Sequence, residues 1–580
     1  MSERADGELT ELQRRVAVAR GDELPDLVLK GGRVLSVFSG EVFDADVAVA
    51  GEHIAGVGSY DGPNAVDVSG HVLVPGLIDA HMHLESTKLM VDEFARAVLP
   101  HGTTTVVIDP HEMANVFGLR GVSALLDSAG DIPLDYYVMV PSCVPASRFE
   151  SSGATVTAED VDEFLRGRSD VIGLAEVMDF PGVITGDQGV LAKLEATLRD
   201  GGHLDGHAPG VSGHALNAYL STGIGSDHEC TDATEALEKR RLGMWIMIRE
   251  NRAAQNLEAL LPMVLEHGTR NTMLCTDDRE PDELLSDGHV DDAVRKAIRL
   301  GCDPVDAVVM ATINTARWHR RREHGAVAPG YLADIVAVPD LAEFRPAIVW
   351  KRGRLAARDG QAVDVVKARV PGWLHDSVRI PELSALAFRV DAVDRARVIG
   401  VEPDSLTTRS LVGEPGRWNG DATADPSHDL AKVAVVERHN GTGRIGVGFV
   451  TGFGLRRGAL GSTHAHDAHN LGVVGVDDAD MAGAANRLRE LGGGQVAVLD
   501  GKVIAELPCP VAGLLSERPC EEVADQAIAL ARAARDQLGA TYPAPFMAIS
   551  FLALSVLPEL RITDRGLVDT VRFEPVPLAI

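Results

Sequence analysis

Residues 75–86, PGLIDAHMHLES, set His81 and His83 two positions apart at the end of an apolar run, with Glu85 two positions further on. Side chains two apart on a strand share a face, so all three polar groups project together from the C-terminal end of what otherwise reads as a buried strand. Polar groups leave water at a cost unless something binds them, and histidine with glutamate is a metal-binding combination.

The surrounding chain supplies a frame for such a strand. Between about residues 72 and 330, short apolar strands alternate with stretches of helical length such as KLMVDEFARAVLPHG and AVRKAIRLG. Eight strands are expected: HVLVPGLIDAHMH, TTTVVIDPHE, DYYVMVPSCV, DVIGLAEVM, HLDGHAPG, GIGSDHE, MWIMIRE and NTMLCTDD. That count closes a (β/α)8 barrel of the TIM type, whose sites are built at the C-terminal strand ends. An open doubly wound sheet fits less well, because no GxGxxG follows the first strand and the chemical residues are spread over many strand ends.

Before the barrel, residues 1–24 read as a polar amphipathic helical extension and residues 25–71 as short antiparallel strands. After it, residues 331–375 return to short strands that complete the N-terminal sheet and then supply a linker. Residues 376–580 form a further mixed α/β domain.

Composition limits what the chain can bind. Its 55 Lys and Arg against 85 Asp and Glu leave a formal net charge of -30, which repels nucleic acid and anionic membrane surfaces. The six cysteines are scattered without a CxxC pair, which suits a reducing cytoplasm rather than a disulfide framework. No apolar stretch is long enough to cross a bilayer. A homodimer or larger assembly is expected for a chain of this kind.

The other strand ends strengthen the metal reading. The fourth ends in GLAEVM, with Glu176 among apolar neighbours; the fifth in DGHAPG, with His207; the sixth in SDHE, with His228 and Glu229; the eighth in CTDD, with Asp277. Six ligands exceed the four that one zinc takes and suit two divalent ions sharing a water, whose pKa falls to about 7. A His and carboxylate set without cysteine suits manganese or iron, with zinc as a further choice. Asp277, at the rim, can take the water's proton and pass it to a leaving group.

This order of ligands resembles the amidohydrolase superfamily, in which a metal-bearing barrel is paired with a small β-sandwich built from both flanking segments. Many members have a carboxylated lysine on the fourth strand where this chain has Glu176. That departure, with PGLIDAHMHLES, IDPHEMANVFG, DGHAPGVSG, SDHE and CTDDR, is similar to the bacterial adenine deaminase family. The likeness extends through FVTGFGLRRGALGSTHAHDAHNLGVVGVDDADM and PFMAISFLALSVLPELRITDRGLVD, covering nearly everything beyond the first two dozen residues.

The resemblance implies hydrolysis of adenine to hypoxanthine and ammonia by hydroxide attack on C6. His81 and His83 would bind one metal, His207 and His228 the second, Glu176 would bridge them, and Asp277 would ligate and shuttle protons. A second acid must protonate N1, and Glu85, Glu112 and Glu229 are the candidates. Two departures touch the substrate side: Arg279, Glu280 and Pro281 stand where the family has R-H-P, and Arg249, Glu250 and Asn251 where it has R-E-G. Deamination of an N6-substituted adenine or another cyclic amidine is the alternative, with dihydroorotase-like hydrolysis of a cyclic amide behind it. A non-catalytic assembly protein is disfavoured because every expected ligand position is kept.

His111, in DPHEMANV, is expected near the pocket mouth in a substrate or supporting role, against the plain reading of a turn fixed by Asp109 and Pro110. Of the histidines in STHAHDAHN, His469 is expected, with Asp467, to help close or position the mouth, against a purely structural polar network. His203 and His214 read as surface or capping residues, and Cys275 as packing.

Overall fold

The computed structural model describes residues 2–403 and 407–580; Met1 of the expected N-terminal extension and positions 404–406 of the expected C-terminal domain lie outside the described residues. The eight expected barrel strands are present: β1 (Leu77–Met82), β2 (Thr103–Ile108), β3 (Asp135–Val140), β4 (Val171–Val177), β5 (His203–Gly206), β6 (Ser226–Asp227), β7 (Trp245–Arg249) and β8 (Thr272–Cys275). The strands β1 to β5 pair in parallel in chain order, as do β6 to β8. Two parallel bridges close the ring, Met82 to Asp277 and Leu204 to Ile224. Across the first, the backbone N–H of His83 donates to the Asp277 carbonyl at 3.1 Å and that of Asp277 to the His81 carbonyl at 3.0 Å. The closure therefore fixes three proposed metal-binding residues against one another.

Helices cover the strands by the usual amphipathic logic. In Val91–Val98 the residues Val91, Phe94, Ala95 and Val98 recur at helical spacing, and all four are buried. The helix His111–Ala129 starts directly after the Asp109–Pro110 pair, which brings His111 and Glu112 to the top of β2.

The segments flanking the barrel form two stacked sheets. The first contains Leu27–Lys30, Asp46–Ala50, His53–Gly58 and Ala65–Asp67; the second joins Arg33–Leu35, Val42–Asp44 and Val72–Pro75 to Ile335–Val338, Ile348–Lys351, Arg354–Arg358 and Gln361–Ala362. Leu29, Val47, Ile54, Leu73, Ile335 and Trp350 fill the space between them. The HVLVPGLIDAHMH run is thus divided: Val72–Pro75 pairs with Ile335–Val338, and β1 begins only after Gly76. The helix Ser2–Arg20 packs on the first sheet through Val18, and the Tyr60 hydroxyl donates to the Ala19 carbonyl at 2.9 Å.

The C-terminal region is built on an eight-stranded sheet, with Asp478–Leu491 packed on one face. It seats directly on the barrel mouth. Leu89 bridges Ser516, Asn470 donates to the Ser151 carbonyl at 2.7 Å, and the Ser151 hydroxyl donates to Asp564 at 2.7 Å.

Close strand approach also shapes the site. A Cβ on Gly206 would lie 2.3 Å from the Ser226 carbonyl oxygen, so the end of β5, and with it His207, reaches β6 only because residue 206 has no side chain. Gly206→Ala is expected to cost about 1–3 kcal/mol through overpacking. Thermal unfolding should show a midpoint a few degrees lower than wild type; an unchanged midpoint would mean that the strands part freely.

Candidate active site

Glu176 stands at the centre of the barrel mouth, buried at the end of β4. One carboxylate oxygen, Oε2, lies 2.8 Å from His207 Nδ1 and 3.1 Å from His228 Nε2; the other, Oε1, lies 3.6 Å from His83 Nε2. Asp277 faces the same space, with Oδ1 3.1 Å from His83 Nε2 and 3.5 Å from His81 Nε2. The sequence-predicted ligand set thus converges on one cluster, in which only His207 is partly exposed. Burial works against the ionised form of both carboxylates, but contacts with His207 and His228 around Glu176, and with His81 and His83 around Asp277, keep both well below the ordinary carboxylate range.

The donor chemistry fits divalent cations. His83 Nδ1 meets the Asp109 carbonyl oxygen at 2.9 Å, which places the proton on Nδ1 and turns the Nε2 lone pair toward Glu176 and Asp277. His81 Nε2 is buried without a hydrogen-bond partner while facing those same groups. An unpartnered imidazole nitrogen beside two ionised carboxylates is costly alone and satisfied by a cation.

Around this cluster the mouth sorts its remaining acids. Glu229 is clamped by Arg249, whose Nη1 also donates to Asp277 Oδ2 at 2.9 Å. Burial opposes ionisation of Glu229, yet Arg249 and His207 outweigh it and hold the carboxyl far below its usual range. Glu85 is fully buried, accepting from the Met113 backbone N–H at 2.9 Å through Oε1. Glu112 behaves in the opposite way to Glu229: burial, reinforced by the nearby Glu85, pushes its pKa up to about 8.

Glu112 also lines a cavity between the two domains. Ser86, Lys88, Asp278 and Glu280 contribute from the barrel, and His466, Gln495 and Phe546 from the C-terminal region. His111 sits between the cluster and this cavity, 3.5 Å from Asp109, 3.7 Å from Glu176 and 3.7 Å from Asp467. His469 is buried behind Glu112, with Nε2 3.5 Å from Oε2.

Several mouth residues make contacts that their sequence context did not reveal. Asp109 supplies the carbonyl that orients His83, a backbone role hidden from the side-chain pattern. Asp278 follows the obvious Asp277, and the Ser86 hydroxyl hydrogen-bonds to it. His466 stood in view within STHAHDAHN, but its place beside the cavity depends on domain packing. Glu280, one of the departures from the family pattern, pairs with Lys88 at 2.5 Å in the cavity wall. Asn251 turns inward to donate to the Thr276 carbonyl at 2.8 Å.

His203 differs from its surface reading. It is buried in the barrel interior, with Nε2 2.9 Å from His319 Nδ1, because β5 begins inside the strand ring rather than at its rim. His214 is exposed, and Cys275 packs with Ala80, Met247 and Met273.

Comparison with known proteins agrees with this architecture. Residues 72–356 match the Amidohydrolase family and residues 405–574 the Adenine deaminase C-terminal domain. The chain is 47% identical over 571 residues to an adenine deaminase of Desulfatibacillum aliphaticivorans, covering 97% of this chain and 99% of the relative. It is 46% identical over 565 residues to one from Methanothrix thermoacetophila, covering 97% and 98%. A third, from Cereibacter sphaeroides, is 46% identical over 567 residues, covering 96% and 98%. A barrel mouth lined by buried histidines and carboxylates, the C-terminal domain seated on it and full-length similarity at this level agree: the chain belongs to the adenine deaminase family of amidohydrolases.

Proposed function

We propose that this protein hydrolyses adenine to hypoxanthine and ammonia at the barrel mouth, with two divalent ions, manganese or iron before zinc. The observation that carries the reading is Glu176, a buried carboxylate held between His83 on one side and His207 and His228 on the other. In this reading the barrel, residues 72–330, carries the metal ligands, and residues 376–580 close the mouth. His81, His83 and Asp277 would hold one ion, His207 and His228 the other, with Glu176 shared. When bound, the ions supply a water acidic enough to act as nucleophile at neutral pH.

The chain's own groups then manage the protons. Asp277 is kept ionised and oriented by Arg249, so it can accept the proton that the attacking water gives up and deliver it to the departing amino group. N1 must gain a proton as C6 becomes tetrahedral. Of the three candidate acids, Glu229 is committed to Arg249 and Glu85 lies off the cavity wall, whereas Glu112 lines the cavity and carries its proton at neutral pH. Glu112 is therefore assigned as the acid. His111, which lies 3.7 Å from both Glu176 and Asp467, is assigned together with Asp467 to substrate placement.

Adenine and hypoxanthine differ in ultraviolet absorption, so turnover can be followed directly. Protein reconstituted with manganese is expected to convert adenine and to stop when a chelator removes the ions; no conversion by metal-replete protein would refute the reading. Glu112→Gln should lower kcat by about 10²–10⁴-fold with metal content unchanged. Because a raised carboxyl pKa keeps the proton on Glu112 below about pH 8, wild-type kcat should fall as pH rises through that value. That fall should be absent in Glu112→Gln, and an unchanged profile would remove Glu112 from the role.

A further inference from the structure

We propose that His469, a buried residue of the C-terminal domain that does not line the cavity, is a positioning residue for Glu112, fixing which carboxyl oxygen presents the proton. This inference rests on the adenine deaminase reading above and adds to it a dependence of the chemistry on the second domain.

The tautomer of His469 carries the argument. The Ala465 backbone N–H donates to His469 Nδ1 at 3.2 Å, so Nδ1 holds a lone pair and the proton of the neutral ring is on Nε2. Burial, added to the neighbouring histidines, keeps the ring neutral. The Nε2–H faces Glu112 Oε2 at 3.5 Å; both atoms are buried and neither makes another hydrogen bond. A hydrogen bond to Oε2 leaves Oε1 to carry the acid proton, and Oε1 is the oxygen near Ser86 Oγ, at 3.4 Å, beside the cavity. Long contacts of this kind tighten when substrate fills an active site.

The ring is firmly held. The His469 N–H donates to the Ala465 carbonyl at 2.7 Å, and the buried Arg438 grips the His469 carbonyl while donating to the Ala512 carbonyl at 3.0 Å and the Ser377 carbonyl at 3.1 Å. Residue 469 has a φ of 53°, in the left-handed region, where asparagine is also tolerated. The grouping of His111, Glu112, His466 and His469 also has the look of a metal cluster. The proton on Nε2 argues against that use, since a ligating nitrogen needs its lone pair.

Two substitutions separate positioning from support. His469→Asn keeps an acceptor for the Ala465 N–H and suits the backbone, but is too short to reach Glu112. His469→Gln restores a donor at the length of Nε2. With adenine as substrate, His469→Asn is expected to lose at least about tenfold in kcat with KM within about threefold and metal content unchanged, and His469→Gln to regain most of that loss. Wild-type kcat in His469→Asn, a loss carried by KM, or Gln no better than Asn would overturn the proposal. Loss of a bound metal in either variant would overturn it in favour of a metal-ligand role. Wild-type protein inert toward adenine would instead overturn the reading on which the proposal rests.

Discussion

A carboxylate buried at the end of a barrel strand is the constraint on which the remaining structure depends. Glu176 has left water among apolar neighbours, and an ionised carboxylate in that position needs positive charge around it. Three histidines approach it from three different strands, and those strands are set in place by the closed ring. The ring is completed beside the same cluster, through the backbone exchange between His81, His83 and Asp277. The contacts that close the fold therefore also hold His81, His83 and Asp277 in register, and a strand slip there would turn these side chains away from one another.

The second domain contributes side chains to the mouth as well as packing to the fold. A barrel mouth opens to water, which screens charge and lets protons escape; a lid that contributes polar side chains limits both. Here His466 and Gln495 line the shared cavity, while Asp467 and His469 approach His111 and Glu112 from outside the barrel. Within the mouth, Glu229 and Glu112 are driven apart by their own surroundings. Glu229 is kept ionised by Arg249, and Glu112 keeps its proton because burial and Glu85 disfavour its charge. Divergent environments for chemically equal groups are the means by which one site does acid and base work together.

Much of this was legible in the chain itself. Alternation of short apolar runs with helical stretches gave eight strands, and polar residues breaking those runs at one end marked, in order, the side chains that gather around Glu176. What remained hidden depended on contacts between distant segments. The backbone role of Asp109, the clamp of Arg249 on two carboxylates, and the choice of Glu112 over Glu85 and Glu229 all require knowing which groups meet across the mouth. His203 was misread for a similar reason: in a strand of only four residues, position along the sequence does not say which end lies inside the ring. The approach of His469 to Glu112 spans two domains and leaves no local pattern.

The most direct measurement is titration of metal-free protein with manganese while the rate of adenine loss is followed. Sharing of Glu176 between two ions predicts activity that rises to a break at two equivalents per chain, with one equivalent giving little turnover. Full activity at one equivalent would contradict a bridged pair and leave Glu176 as an ordinary ligand of a single ion.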